Sequence, residues 1–242
     1  MQQSIKKKIS FLVLVMLLNW GCFQSNEGFD AQELILNETN VDLIRTKIAE
    51  ASQNHRPLFI NSRGGKVSVA LKISKEIKKR NLSIIVFEKC LSNCAEIIIP
   101  SAKEVTFQNN PLIGFHGNIL SYEFYVENYA EKNQHFCNWT YANHQTKLVI
   151  EAGLNPNFWK EQMKRLRPEV SFHYENNKCP IRQYNFINHI WFPTSKQLSD
   201  LWGLKFRGGV CADNFDRCKT KLDNRYKKGT RLVVGNELYI SK

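Results

Sequence analysis

The sequence is short of carboxylates and lacks the motifs that mark several large classes of enzyme. It has 22 Asp and Glu residues against 34 Lys and Arg, which gives a formal net charge of +12. It contains no P-loop, no dinucleotide fingerprint and no HExxH pair, so nothing indicates ATP, NAD or zinc-protease chemistry. The basic residues are scattered and form no nucleic-acid-binding module. We therefore expect no cofactor, no metal and no nucleic-acid partner.

The sequence also has no apolar run long enough to span a bilayer. Its N-terminal run, Ile9–Leu18, follows three lysines at positions 6–8. A basic stretch before a short apolar one is typical of a secretory signal peptide. Residues 1–21 are therefore predicted to be a signal peptide and residues 22–242 to form the mature domain. Removing residues 1–21 removes three lysines and lowers the formal charge from +12 to +9.

The end of this segment, Gly21-Cys22, is similar to a bacterial lipoprotein signal, in which the cysteine is acylated. Asn19 and Trp20 depart from that pattern, since such signals usually carry an aliphatic and a small residue there. We expect an exported protein of the bacterial periplasm, or one attached to the membrane through a lipidated Cys22.

The cysteines include no CxxC pair, and no His stands at zinc-finger spacing, which disfavours zinc as the alternative to disulfides. An even set remains beside Cys22, namely Cys90, Cys94, Cys137, Cys179, Cys211 and Cys218. In an exported chain this predicts up to three disulfides, with fifteen pairings open when all six pair. For Cys90 and Cys94 we favour a disulfide, because export supplies the oxidant. The alternative is a redox-sensitive or nucleophilic thiol.

No internal repeat and no low-complexity linker divides the chain, so a single domain is the simpler organisation. Strand-like and helix-like patterns alternate at intervals of 12–15 residues in the first half, which is typical of an α/β fold. Two buried-type strands, 58–62 and 82–87, flank the amphipathic helix 67–79 and predict a βαβ unit. Two further strands are expected at 104–108 and 112–115.

The other elements are less distinct. The spacing of apolar residues predicts helices at 41–52, across much of 119–151 and after Pro156, and a strand within 33–39. A last helix should follow Pro193, with Thr194 as its N-cap and Gly203 as its C-cap. Residues 171–186 are polar and are predicted to form an irregular loop, and residues 231–240 a hairpin.

The residues that follow three of the predicted strands form a candidate catalytic site. Ser92 stands on a tight turn between a strand and a helix, where backbone N–H groups are free. The Gly64-Gly65 turn follows the neighbouring strand, so it should emerge at the same edge of the sheet. The amides of Gly65 and Asn93 could then hold an oxyanion. His116 ends the next strand and could act as base. The alternative is that Ser92 is a helix cap and His116 a surface residue.

These features together resemble the ClpP/crotonase superfamily, and most of all exported ClpP-like proteins with a C-x-S-x-C turn. The features are NSRGG before a helix, Ser92 at a helix start and IGFH ending at His116, within Leu58 to Gly117; FPTSKQLSDLWGL extends the likeness to residue 204. The resemblance implies a ββα superhelix and a serine hydrolase acting on a peptide or protein. It implies Ser92 as nucleophile, His116 as general base, Gly65 and Asn93 as oxyanion hole, and assembly into a homo-oligomer.

The sequence departs from the family at the third member of the triad. Where the family has its acid, this chain has Asn188-His189-Ile190-Trp191, without a carboxylate. Asn188 or His189 could orient His116, Glu169 or Glu175 could supply the acid, or the site could be a dyad. The sequence thus supports two hypotheses: an exported ClpP-like serine hydrolase, or an impaired ClpP-like fold that binds a peptide or an envelope partner. A crotonase-type acyl-CoA enzyme would share the oxyanion hole, but CoA is not expected outside the cytosol.

Overall fold

The computed structural model describes residues 35–116, 147, 150, 156–173, 181–186 and 188–242, all within the compact unit Glu33–Lys242. The predicted signal peptide, the predicted helical region 119–151 apart from Lys147 and Ile150, and the candidate residues Cys22, Cys137, Glu175 and Cys179 lie outside these residues.

The helices and strands within the described residues alternate along the chain. The helices are α1 (Val41–Gln53), α2 (Val67–Lys79), α3 (Pro156–Leu166), α4 (Ser195–Trp202) and α5 (Phe215–Asp223). A π-helical turn spans Cys94–Ile98. The strands are β1 (Ile35–Leu36), β2 (Leu58–Ser62), β3 (Gly64–Gly65), β4 (Ile84–Leu91), β5 (Val105–Phe107), β6 (Leu112–Gly114), β7 (Pro168–His173), β8 (Ile181–Phe186), β9 (Ile190–Phe192), β10 (Phe206–Arg207), β11 (Arg231–Val234) and β12 (Glu237–Ile240).

A parallel sheet forms the centre of this α/β fold. Its strand order is β10-β5-β4-β2, and β6 also pairs with β4. The long strand β4 pairs with β5 through its first residues and with β6 through its last, so that Leu91 lies opposite Gly114. The turns after β4 and β6 therefore leave the sheet side by side. This confirms the predicted α/β class and the parallel strands on either side of α2.

Helix α2 covers this sheet because its sequence is amphipathic. Val69, Leu71, Ile73 and Ile77 are buried, whereas Lys78 and Lys79 point to solvent. Each such buried aliphatic side chain contributes about 1.5–3 kcal/mol through the hydrophobic effect. Helix α2 packs against α1 and against the π-helical turn. The helix thus holds the segment after β4 in place.

A second sheet, with strand order β12-β11-β9, adjoins the end of β6. Phe115 and Trp191 exchange backbone hydrogen bonds of 2.8 and 2.9 Å, which ties residue 115 to β9. The Phe115 ring lies 4.6 Å from Phe158 and 5.7 Å from Trp202, centroid to centroid. This aromatic cluster fixes the backbone immediately before His116.

The structure corrects two expectations in the second half. Residues 171–186 were predicted to be an irregular loop, but β7 and β8 pair with each other in antiparallel orientation. Pro168 lies opposite Phe186 at one end of the pair, and His173 lies opposite Ile181 at the other. Polar and apolar residues alternate from Glu169 to His173, which is a strand signal, but the polar residues 175–178 that follow it obscure the pattern. The helix after Pro193 is also not the last. Helix α5 follows, capped by Asn214, and it buries only Cys218 and Leu222, a pattern too sparse to read from sequence.

Other predictions are confirmed. Helices α1 and α2 fall where the apolar spacing put them. Helix α4 has the expected caps, since the Thr194 side chain accepts a hydrogen bond from the Gln197 amide and Gly203 adopts a left-handed conformation. β11 and β12 form the expected hairpin. The predicted strand at 33–39 is represented within the described residues by the short β1.

Candidate active site

Ser92 occupies a sharp turn directly after β4. Its φ is 56°, in the left-handed region that a non-glycine residue seldom adopts. Its amide donates to the Gly114 carbonyl (2.8 Å), and its carbonyl accepts from the Glu96 amide (2.9 Å). These two hydrogen bonds tie the turn to β6 on one side and to the π-helical turn on the other. Such a left-handed residue costs about 1–2 kcal/mol, so the surroundings must hold it in this conformation.

A disulfide brackets Ser92. Cys90 and Cys94 are bonded to each other with their Cα atoms 5.3 Å apart, and both are buried. This confirms the disulfide expected for this pair and excludes a free thiol beside the serine in this structure. Cys211 and Cys218 form a second disulfide. Cys137 and Cys179 stay predicted disulfide candidates, since both lie outside the described residues.

The glycine pair lies directly against the Ser92 turn. A Cβ on Gly64 would meet the Leu91 carbonyl oxygen at 2.6 Å, the Ser92 Cβ at 2.8 Å and the Asn93 nitrogen at 3.2 Å. Only a glycine lets the two backbone segments approach this closely. The predicted meeting of the Gly64-Gly65 segment with the serine turn is therefore present in the structure.

Gly65 is held from its other side by β1. It has a φ of 150°, and a Cβ there would overlap the carbonyl of Leu36. Leu36 pairs with Gly65, and the Lys66 amide donates to the Leu36 carbonyl (2.7 Å). The strand β1 thus positions a residue predicted to donate to an oxyanion.

Asn93 connects the two segments. Its side-chain amide donates to the Gly65 carbonyl at 2.5 Å, and its side chain is largely buried. Asn93 itself has helical backbone angles and precedes the π-helical turn. Gly65 and Asn93, singled out from the sequence as the oxyanion pair, are therefore neighbours. The link through the Asn93 side chain could not be predicted from the sequence.

His116 follows β6 by two residues and is exposed. Because Gly114 pairs with Leu91, the segment that carries His116 runs alongside the segment that carries Ser92. The His116 carbonyl accepts a hydrogen bond from the Gln162 side chain (2.9 Å). The backbone on both sides of the imidazole is thus anchored, by the hydrogen bonds of Phe115 to Trp191 on β9 and by the Gln162 side chain of α3.

The two residues proposed to orient His116 lie on the segment before β9. Asn188 is buried, its side-chain amide donates to the Arg165 carbonyl (2.7 Å), and its Oδ1 has no hydrogen-bond partner among the described residues. His189 is exposed, and its backbone amide donates to Arg231 (2.8 Å). In this conformation the Asn188 side chain supports the end of α3, so an orienting role for either residue stays a prediction.

A buried carboxylate that the sequence reading missed lies one turn after Ser92. Glu96 is only 3% exposed, and its Oε1 accepts from Gln162 Nε2 at 2.9 Å. The same Nε2 donates to the His116 carbonyl, so Gln162 bridges the serine segment and the histidine segment. Two signals were available in the sequence. Glu96 interrupts the apolar run 95–99, and Gln162 interrupts the apolar face of α3 formed by residues 158, 159, 163 and 166.

No protein-family model matches the sequence, and no curated protein matches it significantly. Within the described residues, no group of three His, Cys, Asp or Glu side chains is arranged to hold a metal ion. None of the helices in the same part of the chain is long and apolar enough to cross a membrane.

Proposed function

We propose that the protein is an exported serine hydrolase of the ClpP-like kind, a peptidase whose nucleophile is Ser92. One observation carries the proposal: the buried Ser92 is held in a left-handed turn, in contact with the Gly64-Gly65 segment and beside the segment that bears His116. Acyl transfer needs a serine hydroxyl held in place next to backbone amides that can stabilise the oxyanion. A strained turn between a strand and a helix is typical of such a nucleophile. The overall fold would then be a ClpP/crotonase-like ββα superhelix.

In this mechanism His116 takes the proton from the Ser92 hydroxyl as the oxygen attacks the peptide carbonyl. The amides of Gly65 and Asn93 donate to the oxygen that becomes negative. The imidazolium of His116 then protonates the leaving amine, and the C–N bond breaks to leave an acyl-enzyme. Water, deprotonated by His116, releases the acid and restores the serine. The Glu96–Gln162 bridge to the His116 carbonyl would position the base through its backbone.

The test is covalent labelling of the purified mature protein with a fluorophosphonate. We expect labelling of the wild type, none of Ser92→Ala, and a rate at least about 100-fold lower for His116→Ala, since a general base contributes about that much or more. Ser199→Ala is a matched control, because it removes a hydroxyl on α4 that donates to the Leu204 carbonyl (2.7 Å). Labelling that persists unchanged in Ser92→Ala would refute the proposal.

A second function is favoured by a different observation. The stretch from Asn188 to Trp191 offers no carboxylate, and the Asn188 amide is engaged with Arg165. Loss of the acid partner typically lowers the rate of a serine protease about 10⁴-fold. The same fold would then bind a peptide or an envelope partner without cleaving it. A wild-type protein that binds peptide yet is neither labelled nor able to cleave the peptide would favour this function.

A further inference from the structure

Strand β12 carries exposed aliphatic side chains along an edge of the second sheet. Within the part of the chain that the structure describes, β12 pairs with β11, and no strand pairs with its other edge. Leu238 is 51% exposed and Ile240 is 49% exposed, more than any other large hydrophobic side chain among the described residues. Native sheets usually protect an edge with charged side chains, proline or a bulge, and none of these stands between Leu238 and Ile240. The edge is therefore suited to pairing with another strand.

The backbone groups of the same two residues face this edge. The Ser241 amide donates to the Thr230 carbonyl (3.1 Å), so Ser241 turns its hydrogen-bonding groups inward, to the side of β12 on which β11 lies. Residues of an antiparallel strand alternate between facing the paired strand and facing away from it. Since β11 and β12 pair without a register shift, Tyr239 faces β11, and Leu238 and Ile240 direct their N–H and C=O groups to the edge. A strand added there would hydrogen-bond to Leu238 and Ile240.

A second copy of β12 fits this edge best in one antiparallel register. Residues that face outward have to pair with residues that face outward. Pairing Leu238 with itself sets Ile240 against the polar Asn236, and pairing Ile240 with itself sets Leu238 against Lys242. With Leu238 opposite Ile240 of the other copy, aliphatic residues meet aliphatic ones and Asn236 meets Lys242. The strand is thus complementary to itself in a register that is two-fold symmetric about Tyr239, and such a contact closes at a dimer.

The face that bears the two aliphatic side chains is open. Tyr239 points to the opposite face, where its ring packs against Phe215 of α5 (centroids 5.8 Å apart) and its hydroxyl donates to Asp223 (2.6 Å). Helix α5 therefore packs on the Tyr239 face, and the other face remains accessible at Leu238 and Ile240. The half-exposed side chains and paired backbones of two copies would bury on the order of 500 Å², below the about 1,200 Å² of a stable specific interface. The expected contact is therefore weak.

We propose that two copies of the protein associate weakly and reversibly through β12, with Leu238 of each copy opposite Ile240 of the other. The contact joins the three-stranded sheets β12-β11-β9 of the two copies into one continuous sheet. Backbone hydrogen bonds between the two strands and the cross-strand aliphatic pairs stabilise it. The dimer does not depend on the proposed hydrolase function, because none of the proposed catalytic residues takes part in the contact.

The first test is sedimentation equilibrium of the mature protein at concentrations from about 5 µM to about 0.5 mM, since association follows mass action. We expect the average mass to rise from that of a monomer toward that of a dimer across this range. Leu238→Lys should weaken the association at least about tenfold, because the two-fold symmetry brings two desolvated ammonium groups into the contact. The matched control is Leu43→Lys, which makes the same change at a 42% exposed leucine on α1 and should leave the association unchanged.

The second test is the register of the two strands. Leu238→Cys and Ile240→Cys proteins are mixed and treated with dibromobimane, a short crosslinker of two thiols, and the wild type gives the baseline from the native cysteines. The mixture should yield at least about twofold more crosslinked dimer than either variant alone, because side chains directly opposite lie about 5 Å apart and diagonal ones about 7–8 Å. A protein that stays monomeric at the highest concentration, an equal loss in the two lysine variants, or equal crosslinking within a single cysteine variant would overturn the proposal.

Discussion

Replacing both Cys90 and Cys94 by alanine should loosen the turn that carries Ser92. The two cysteines are four residues apart in sequence, and closing so short a loop contributes about 2 kcal/mol to the free energy of unfolding in the chain-entropy model. The left-handed conformation of Ser92 costs a similar amount, about 1–2 kcal/mol. Without the crosslink, we expect the fraction of molecules with a competent turn to fall by about tenfold, and the labelling rate with it.

The second disulfide provides a matched control. Cys211 and Cys218 are seven residues apart and equally buried, and their crosslink is worth about 2.5 kcal/mol in the same model. Urea unfolding of the two double-alanine variants should therefore give similar losses of stability. The rate of fluorophosphonate labelling, measured well below both unfolding transitions, should fall only when Cys90 and Cys94 are replaced. Equal labelling rates in the two variants would refute the idea that the disulfide holds Ser92 in place.

Three further predictions concern the backbone and one hydrogen-bonded pair. The Ser92→Gly protein should be more stable than the Ser92→Ala protein by about 1 kcal/mol, because glycine adopts a φ of 56° without strain. Urea unfolding measures both stabilities, and a more stable Ser92→Ala protein would contradict this prediction. Gly65→Ala should lower the free energy of unfolding by at least about 2 kcal/mol, because the added Cβ would clash with β1. Gly203→Ala, with open space around it, should lower the same quantity by about 1 kcal/mol. Equal losses in the two variants would refute the clash. The Tyr239 hydroxyl lowers the pKa of Asp223, so Tyr239→Phe should destabilise the protein at neutral pH. That deficit should shrink as the pH falls through the folded-state pKa of Asp223, below the usual carboxyl range, and a deficit that stays constant down to pH 2 would contradict it.

The elements whose sequence patterns are local were predictable. The buried strands β2 and β4 and the amphipathic helix α2 have unambiguous periodicities, and the caps of α4 are standard residues in standard places. The pairing of β7 with β8 was missed although polar and apolar residues alternate from Glu169 to His173, because the polar residues 175–178 that follow obscure this signal. Helix α5 was missed for a related reason, since its apolar face consists of two residues.

The candidate site also has residues that could be predicted from the sequence and residues that could not. Its residues at strand ends, Ser92, Gly65 and His116, follow from the rule that parallel strands finish at one edge of a sheet. Glu96 and Gln162 could not be paired from the sequence, because 66 residues separate them and only the packing of α3 brings them together.

The most direct test of the central claim is to locate the covalent adduct. After the wild-type protein reacts with a fluorophosphonate, intact-mass spectrometry should show a single added phosphonyl group, and peptide mapping should place it on Ser92. Reduction and alkylation before mapping will open the loop closed by Cys90 and Cys94, so that fragmentation can locate the adduct within it. An adduct on Ser92 that is absent from His116→Ala at the same exposure is the predicted result. An adduct on another residue, or no adduct after prolonged exposure of the folded protein, would contradict the assignment of Ser92 as the nucleophile.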